Sequence, residues 1–85
     1  MIKYINCKTR ELNTNEKNDL ILILKRSNLS GNPICHLTCK KCSNRYYVYQ
    51  NKKTPSRYAF KNICECGNVI MEYNTTEEPD IIKIN

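Results

Sequence analysis

Cys39-Lys40-Lys41-Cys42 and Cys64-Glu65-Cys66-Gly67 stand 21 residues apart, and how these two clusters are read decides the fold of the whole chain. A thiolate is a soft ligand suited to Zn2+, and a tight turn that presents two thiolates supplies half of a tetrahedral shell. Two such turns close it. The first cluster is C-x2-C with two lysines inside, whose charge favours thiolate over thiol. The second has one residue between its cysteines, and Gly67 follows where a turn around a metal often needs positive φ. The spacing predicts one zinc ion held by Cys39, Cys42, Cys64 and Cys66. The plainer alternative is a set of buried or paired cysteines.

Working outward, 85 residues make one small domain. At this size an apolar core alone supplies only a few kcal/mol, and a metal or disulfides commonly help. Six cysteines, with Cys7 and Cys35 beside the two clusters, could also form three disulfides in a secreted protein. The first residues hold Lys3 and Tyr4 and no apolar signal-peptide core, and the longest apolar run, Leu20 to Leu24, is too short to span a bilayer. The expectation is an intracellular, reducing compartment without membrane contact, where C-x2-C means metal or redox chemistry. Asn, Lys and Ile account for 32 residues, and all three have AT-rich codons. That points to an AT-rich source such as a large DNA virus, a parasite or a low-GC bacterium, with host cytoplasm or virion as location in the viral case, and warns against reading function into every lysine.

The net charge is +6, with a pI near 9.1. Residues 35–63 carry Lys40, Lys41, Arg45, Lys52, Lys53, Arg57 and Lys61 with no acid, whereas residues 64–85 carry five acids against Lys83. Basic charge concentrated between the cysteine clusters favours a polyanion.

From the N-terminus, Met1 to Cys7 alternates well enough for a short strand, with Cys7 as a small buried residue at its end. Over Asn13 to Asn28 the signals favour a helix: Asn13 as cap, Glu16 three residues on, Lys25 and Arg26 late. The unbroken Leu20-Ile21-Leu22-Ile23-Leu24 run also suits a buried strand, and it is apolar enough all round to dock partly on a partner. Ser27 to Pro33 reads as a loop closing an N-terminal docking segment, residues 1–33. Cys35 and His36 are spare candidate ligands, and His36 reads more simply as a surface or loop imidazole.

Tyr46 to Gln50, aromatic and β-branched, reads as a strand, Asn51 to Arg57 as a polar hairpin loop, Tyr58 to Ile63 as the return strand, and Val69 to Tyr73 as a third strand. The order of cysteine turn, strand, loop, strand, cysteine turn, strand describes a zinc ribbon over residues 34–74, with 75–85 as an acidic tail. The expected fold is therefore small α+β and metal-stabilised, an N-terminal strand and helix followed by a three-stranded antiparallel ribbon. Ile81 to Ile84 could pair with Ile2 to Ile5 or with a partner's sheet edge.

The stretch from Cys39 to Tyr73 resembles the C-terminal zinc ribbon of transcription elongation factor S-II and of the ninth subunit of RNA polymerase II. The resemblance rests on Cys39-x2-Cys42, the strand ending in Gln50, a basic loop, an aromatic return strand, and Glu65-Cys66-Gly67-Asn68 before an apolar strand. It implies a small subunit or factor of a DNA-dependent RNA polymerase, with polymerase subunits or other transcription proteins as partners. S-II factors carry an acidic pair at the hairpin tip that serves transcript cleavage. Here the tip, Asn51 to Arg57, has no carboxylate, so a non-catalytic role is expected. The alternatives are a free-standing nucleic-acid-binding ribbon, with Lys52, Lys53, Arg57 and Lys61 on phosphates and tyrosines on bases, and a thiol-disulfide protein using Cys39 and Cys42, which lacks the strand-helix alternation usual around such a motif.

Overall fold

The run Tyr46-Tyr47-Val48-Tyr49 has no small polar residue to turn toward water, and the fold answers by covering both faces of the strand that contains it: all four are buried. The computed structural model describes residues 2–51, 60–73 and 78–84. Among these, the elements in chain order are β1 (Ile2–Tyr4), β2 (Cys7–Arg10), α1 (Thr14–Arg26), β3 (Gly31–Cys39), β4 (Arg45–Asn51), β5 (Phe60–Ile63), β6 (Val69–Tyr73) and β7 (Glu78–Lys83). Two antiparallel sheets result, β2-β3-β4-β7 and β1-β6-β5.

The four-stranded sheet is the middle layer. Leu37, Cys39, Tyr46 and Val48 on one face pack with Ile70, Met71 and Tyr73 of the second sheet. On the other face Tyr47 and Tyr49 pack with Leu12, Leu20 and Leu24 of the helical layer. Alternation along each strand thus feeds two separate cores, and burial on both faces explains an apolar run without period-2 relief.

Helix α1 forms as its signals indicate. Asn13 Oδ1 accepts from the Glu16 N–H at 2.8 Å and Glu16 Oε1 accepts from the Asn13 N–H at 3.1 Å, a reciprocal cap worth about 1 kcal/mol. At the other end Leu29 N–H donates to Leu24 O and Asn28 N–H to Lys25 O, with Asn28 at φ 55°. This is a Schellman ending, sealed by the apolar contact of Leu29 and Leu24 in one cluster. Leu20 and Leu24, one turn apart, are buried, whereas Ile21 and Leu22 remain 39% and 52% exposed. No helix among the described residues is long and apolar enough to cross a membrane.

Several expectations need correction. The stretch 31–38, read as the end of a loop and then a spare-ligand segment, is most of the nine-residue strand β3, at the centre of the sheet. Gly31 and Pro33 misled because they normally break structure. Here Pro33 sits at a register irregularity, where its missing N–H is tolerated. At Gly31 an added Cβ would lie 2.4 Å from the Gln50 carbonyl oxygen, so glycine is what lets the strands approach. His36, expected on a surface or loop, is consequently buried within β3.

The second correction concerns the ribbon. Its strands exist, but β4 pairs with β3 and β7 while β5 pairs with β6, so they divide between two sheets. Third, the first seven residues do not form one strand. Asn6, at φ 48°, breaks the run and passes the chain from the second sheet to the first. The closing segment, read as a tail, forms β7 against β4, with Pro79 fully buried; its pairing is internal but not with Ile2 to Ile5.

Candidate metal centre

Each cysteine cluster sits at the tip of a hairpin. Cys39 ends β3 and Cys42 lies in the turn into β4; Cys64 follows β5 and Cys66 lies in the turn into β6. The two turns are built alike. In the first, the Ser43 N–H donates to Cys39 O at 3.0 Å and the Cys39 N–H to Asn44 O at 2.9 Å. In the second, the Gly67 N–H donates to Cys64 O at 2.8 Å and the Cys64 N–H to Asn68 O at 2.9 Å. In both, the residue after the second cysteine takes positive φ, 63° at Ser43 and 89° at Gly67. The one-residue shortening between Cys64 and Cys66 leaves this closure intact.

The tips meet. Cys39 Sγ lies 3.7 Å from Cys66 Sγ and Cys42 Sγ 3.3 Å from Cys64 Sγ, and all four sulfurs fall within 4.8 Å of one another. A tetrahedral ion with Zn–S bonds of about 2.3 Å needs sulfur-sulfur edges of about 3.8 Å. The observed spacing brackets that value, and an all-thiolate donor set suits zinc. The structure thus brings all four sequence-predicted ligands together, positioned to hold one metal ion.

Polar groups surround the sulfurs. Asn68 Nδ2 approaches Cys39 Sγ at 3.5 Å and Asn44 Nδ2 approaches Cys64 Sγ at 3.9 Å, so the closing asparagine of each turn addresses the first cysteine of the other. The Tyr46 hydroxyl lies 3.2 Å from Cys64 Sγ. Burial raises the Cys39 thiol, but the Asn68 amide and the backbone N–H groups of Cys42 and Lys41 outweigh it and bring the pKa down to about 6. Cys64 is likewise lowered: burial opposes, and the Tyr46 hydroxyl and Cys66 N–H prevail. At Cys42 the Asn44 N–H pulls downward, but burial and the neighbouring sulfurs push it up to about 12. Four thiolates at this separation repel one another, and a divalent cation among them removes that conflict.

The N-terminal strand is tied into the centre. Asn6 O accepts from the Lys40 N–H at 3.1 Å and from Asn68 Nδ2 at 3.2 Å, so the break between β1 and β2 touches both turns. Neither Asn6 nor the asparagine pair was singled out from sequence. The pair leaves a signal, Cys42-x-Asn44 and Cys66-x-Asn68, two residues past the second cysteine in each cluster.

The spare ligands stand apart. Cys7 Sγ lies 3.4 Å from Ile70 O and Cys35 Sγ 3.6 Å from the Tyr4 hydroxyl, both among core residues. Burial pushes both thiols up. His36 leaves its buried Nε2 without a hydrogen-bond partner, and burial, followed by the Arg10 charge, lowers its pKa. Of the proposed phosphate contacts, Lys52, Lys53 and Arg57 lie outside the described residues, as does Tyr58. Lys61 is exposed on β5, in register with Glu72, whose other neighbour is Lys3. Tyr46, Tyr47 and Tyr49 are core residues, and the Tyr47 hydroxyl donates to Asp19 at 3.0 Å.

No family model matches the chain, and no curated protein or solved structure matches it either.

Proposed function

We propose that this chain is a small zinc-stapled domain that works by binding and not by catalysis, as a small subunit or factor of a DNA-dependent RNA polymerase or another transcription complex. The observation that carries the reading is the meeting of two like-built cysteine turns, each at a hairpin tip, in one tetrad. Four thiolates close a tetrahedral shell and leave no position for water or substrate, which is the coordination of structural and not catalytic zinc. The transcriptional role rests on the resemblance of residues 39–73 to polymerase-associated ribbons. Ile21, Leu22 and Ile63, exposed at 39%, 52% and 57%, give apolar contact points to a chain that joins a larger assembly.

A free-standing base reader is less well supported, because Tyr46, Tyr47 and Tyr49, assigned to stacking, are used in the core. Sulfur contacts run between the turns, Cys39 to Cys66 and Cys42 to Cys64, and all four sulfurs lie within 4.8 Å of one another, which is a tetrad and not an isolated Cys39–Cys42 redox pair. Affinity purification in gentle salt is the test. Copurifying polymerase subunits support the reading; a chain that emerges alone from cells expressing its natural partners contradicts it. Added to a stalled polymerase, the protein is expected to leave the transcript 3′ end unchanged.

A further inference from the structure

Beside the first cysteine turn lies an open cleft of about 360 Å3, lined by Lys8, Thr38, Cys39, Lys40 and Ser43. Its walls come from three pieces of chain. Lys8 is on the edge strand β2, directly across the ladder from Thr38 on β3, and Lys40 and Ser43 belong to the turn that follows. We propose that this cleft binds a backbone phosphate of a nucleic acid, with the two ammonium groups neutralising it and the two hydroxyls donating hydrogen bonds.

The chemistry of the lining supports this ligand. Neither Lys8 nor Lys40 is in a salt bridge with any described residue; the two salt bridges there are Arg10–Glu16 and Lys83–Glu65. The one acid within either cysteine turn, Glu65, is thus answered by Lys83 at 2.7 Å. Two ammonium groups and two hydroxyls match a singly charged phosphodiester, which is gripped by point charge and hydrogen bonds without sequence information. No aromatic side chain lines the cleft, so it has no platform for a base. The site differs from the hairpin-loop lysines expected from sequence and lies on β2, β3 and the turn that follows. The cleft wall is shaped by the metal-held turn, so the inference rests on the zinc reading. A competing role exists for Lys40, because a zinc tetrathiolate carries net negative charge that a nearby ammonium offsets. Lys8, on a neighbouring strand, has no such duty, which makes it the informative position.

The zinc-loaded full chain is titrated into a fluorescent single strand and a duplex of mixed sequence over a range of salt, with zinc content measured in parallel. Wild type is expected to bind both. Lys8→Gln combined with Lys40→Gln is expected to lower affinity roughly tenfold at low salt and to reduce the slope of log affinity against log salt by about one unit, with sequence preference unchanged. Lys8→Gln alone, at an exposed edge position, gives part of the same shift and serves if the double variant fails to fold. Lys25→Gln on α1 leaves the slope unchanged.

Equal slopes for wild type and the lysine variants overturn the proposal. So does a double variant that loses zinc while Lys8→Gln binds like wild type, since the lysines then serve the metal. Binding of inorganic phosphate without either nucleic acid also overturns it, in favour of a small-anion site. The failure is separable from failure of the proposed function: unchanged slopes in a chain that holds zinc and copurifies with polymerase remove the cleft alone.

Discussion

Cys35 and Cys39 lie on one strand, four residues apart, both buried in the same core cluster, yet their thiols are driven in opposite directions. Burial raises Cys35, and only the Tyr4 hydroxyl works against it. Cys39 lies at the point where the strand turns, so backbone N–H groups of Lys41 and Cys42 and the Asn68 amide converge on its sulfur. Burial by itself makes a cysteine an inert apolar residue. A turn that collects donors around a buried sulfur makes it a ligand. Cys7 and Cys64 repeat the contrast, the first raised and the second lowered.

The contrast is tested most severely by removing each sulfur in turn. Cys39→Ser is expected to lose the metal and with it most of the roughly 10–16 kcal/mol that a structural zinc site contributes, leaving a chain without cooperative unfolding. Cys35→Ala removes one buried sulfur and costs about 1–2 kcal/mol with zinc retained. Urea unfolding followed by circular dichroism, with metal content determined on the same samples, checks both. Comparable losses for the two variants would erase the distinction.

A smaller effect tests the donors. Asn68→Ala is expected to weaken metal affinity by about tenfold to a hundredfold. Asn44→Ala, whose amide is farther from its sulfur, should weaken it less. Competition with a chromophoric chelator measures the loss, and the thiolate charge-transfer band of the cobalt-substituted protein reports the altered sulfur environment. Equal effects, or none, would mean that the asparagines only close their turns.

The pH response sharpens the comparison further. Cys39 is depressed from its ordinary 9.0 to about 6, so the stabilisation linked to its ionised form is fully present above the ordinary value and lost as pH falls through about 6. Protons should therefore displace the metal progressively on acidification. At Glu16 the Arg10 guanidinium, bonded at 2.7 and 2.8 Å, and the Asn13 N–H hold the carboxyl at about 2, so its smaller contribution is present above 4.5 and lost only as pH falls toward 2. Far-ultraviolet dichroism and metal content against pH should show metal loss first. The reverse order would contradict the assignment.

The four ligands and the helix were legible because their signals are local: two cysteine pairs at short spacing, and a capping box fixed by Asn13 and Glu16. The pairing of strands was not. Whether β4 lies beside β5 or between β3 and β7 depends on which long-range contacts bury Tyr46 to Tyr49 on both faces, and no short window contains that information. Strand β3 was hidden by Gly31 and Pro33, whose ordinary meaning as breakers is overridden by a close approach to Gln50 and a register irregularity. Asn6 was hidden because its role is a backbone carbonyl accepting from both turns, which side-chain chemistry does not advertise.

The central claim is that four particular cysteines hold one zinc ion and that Cys7 and Cys35 do not. Elemental analysis of reduced, purified protein tests it directly, beside Cys64→Ser and Cys35→Ser prepared in the same way. The account predicts one zinc per chain in the wild type and in Cys35→Ser, and none retained by Cys64→Ser. A wild-type chain without zinc, or a Cys64→Ser variant that keeps it, would contradict the account.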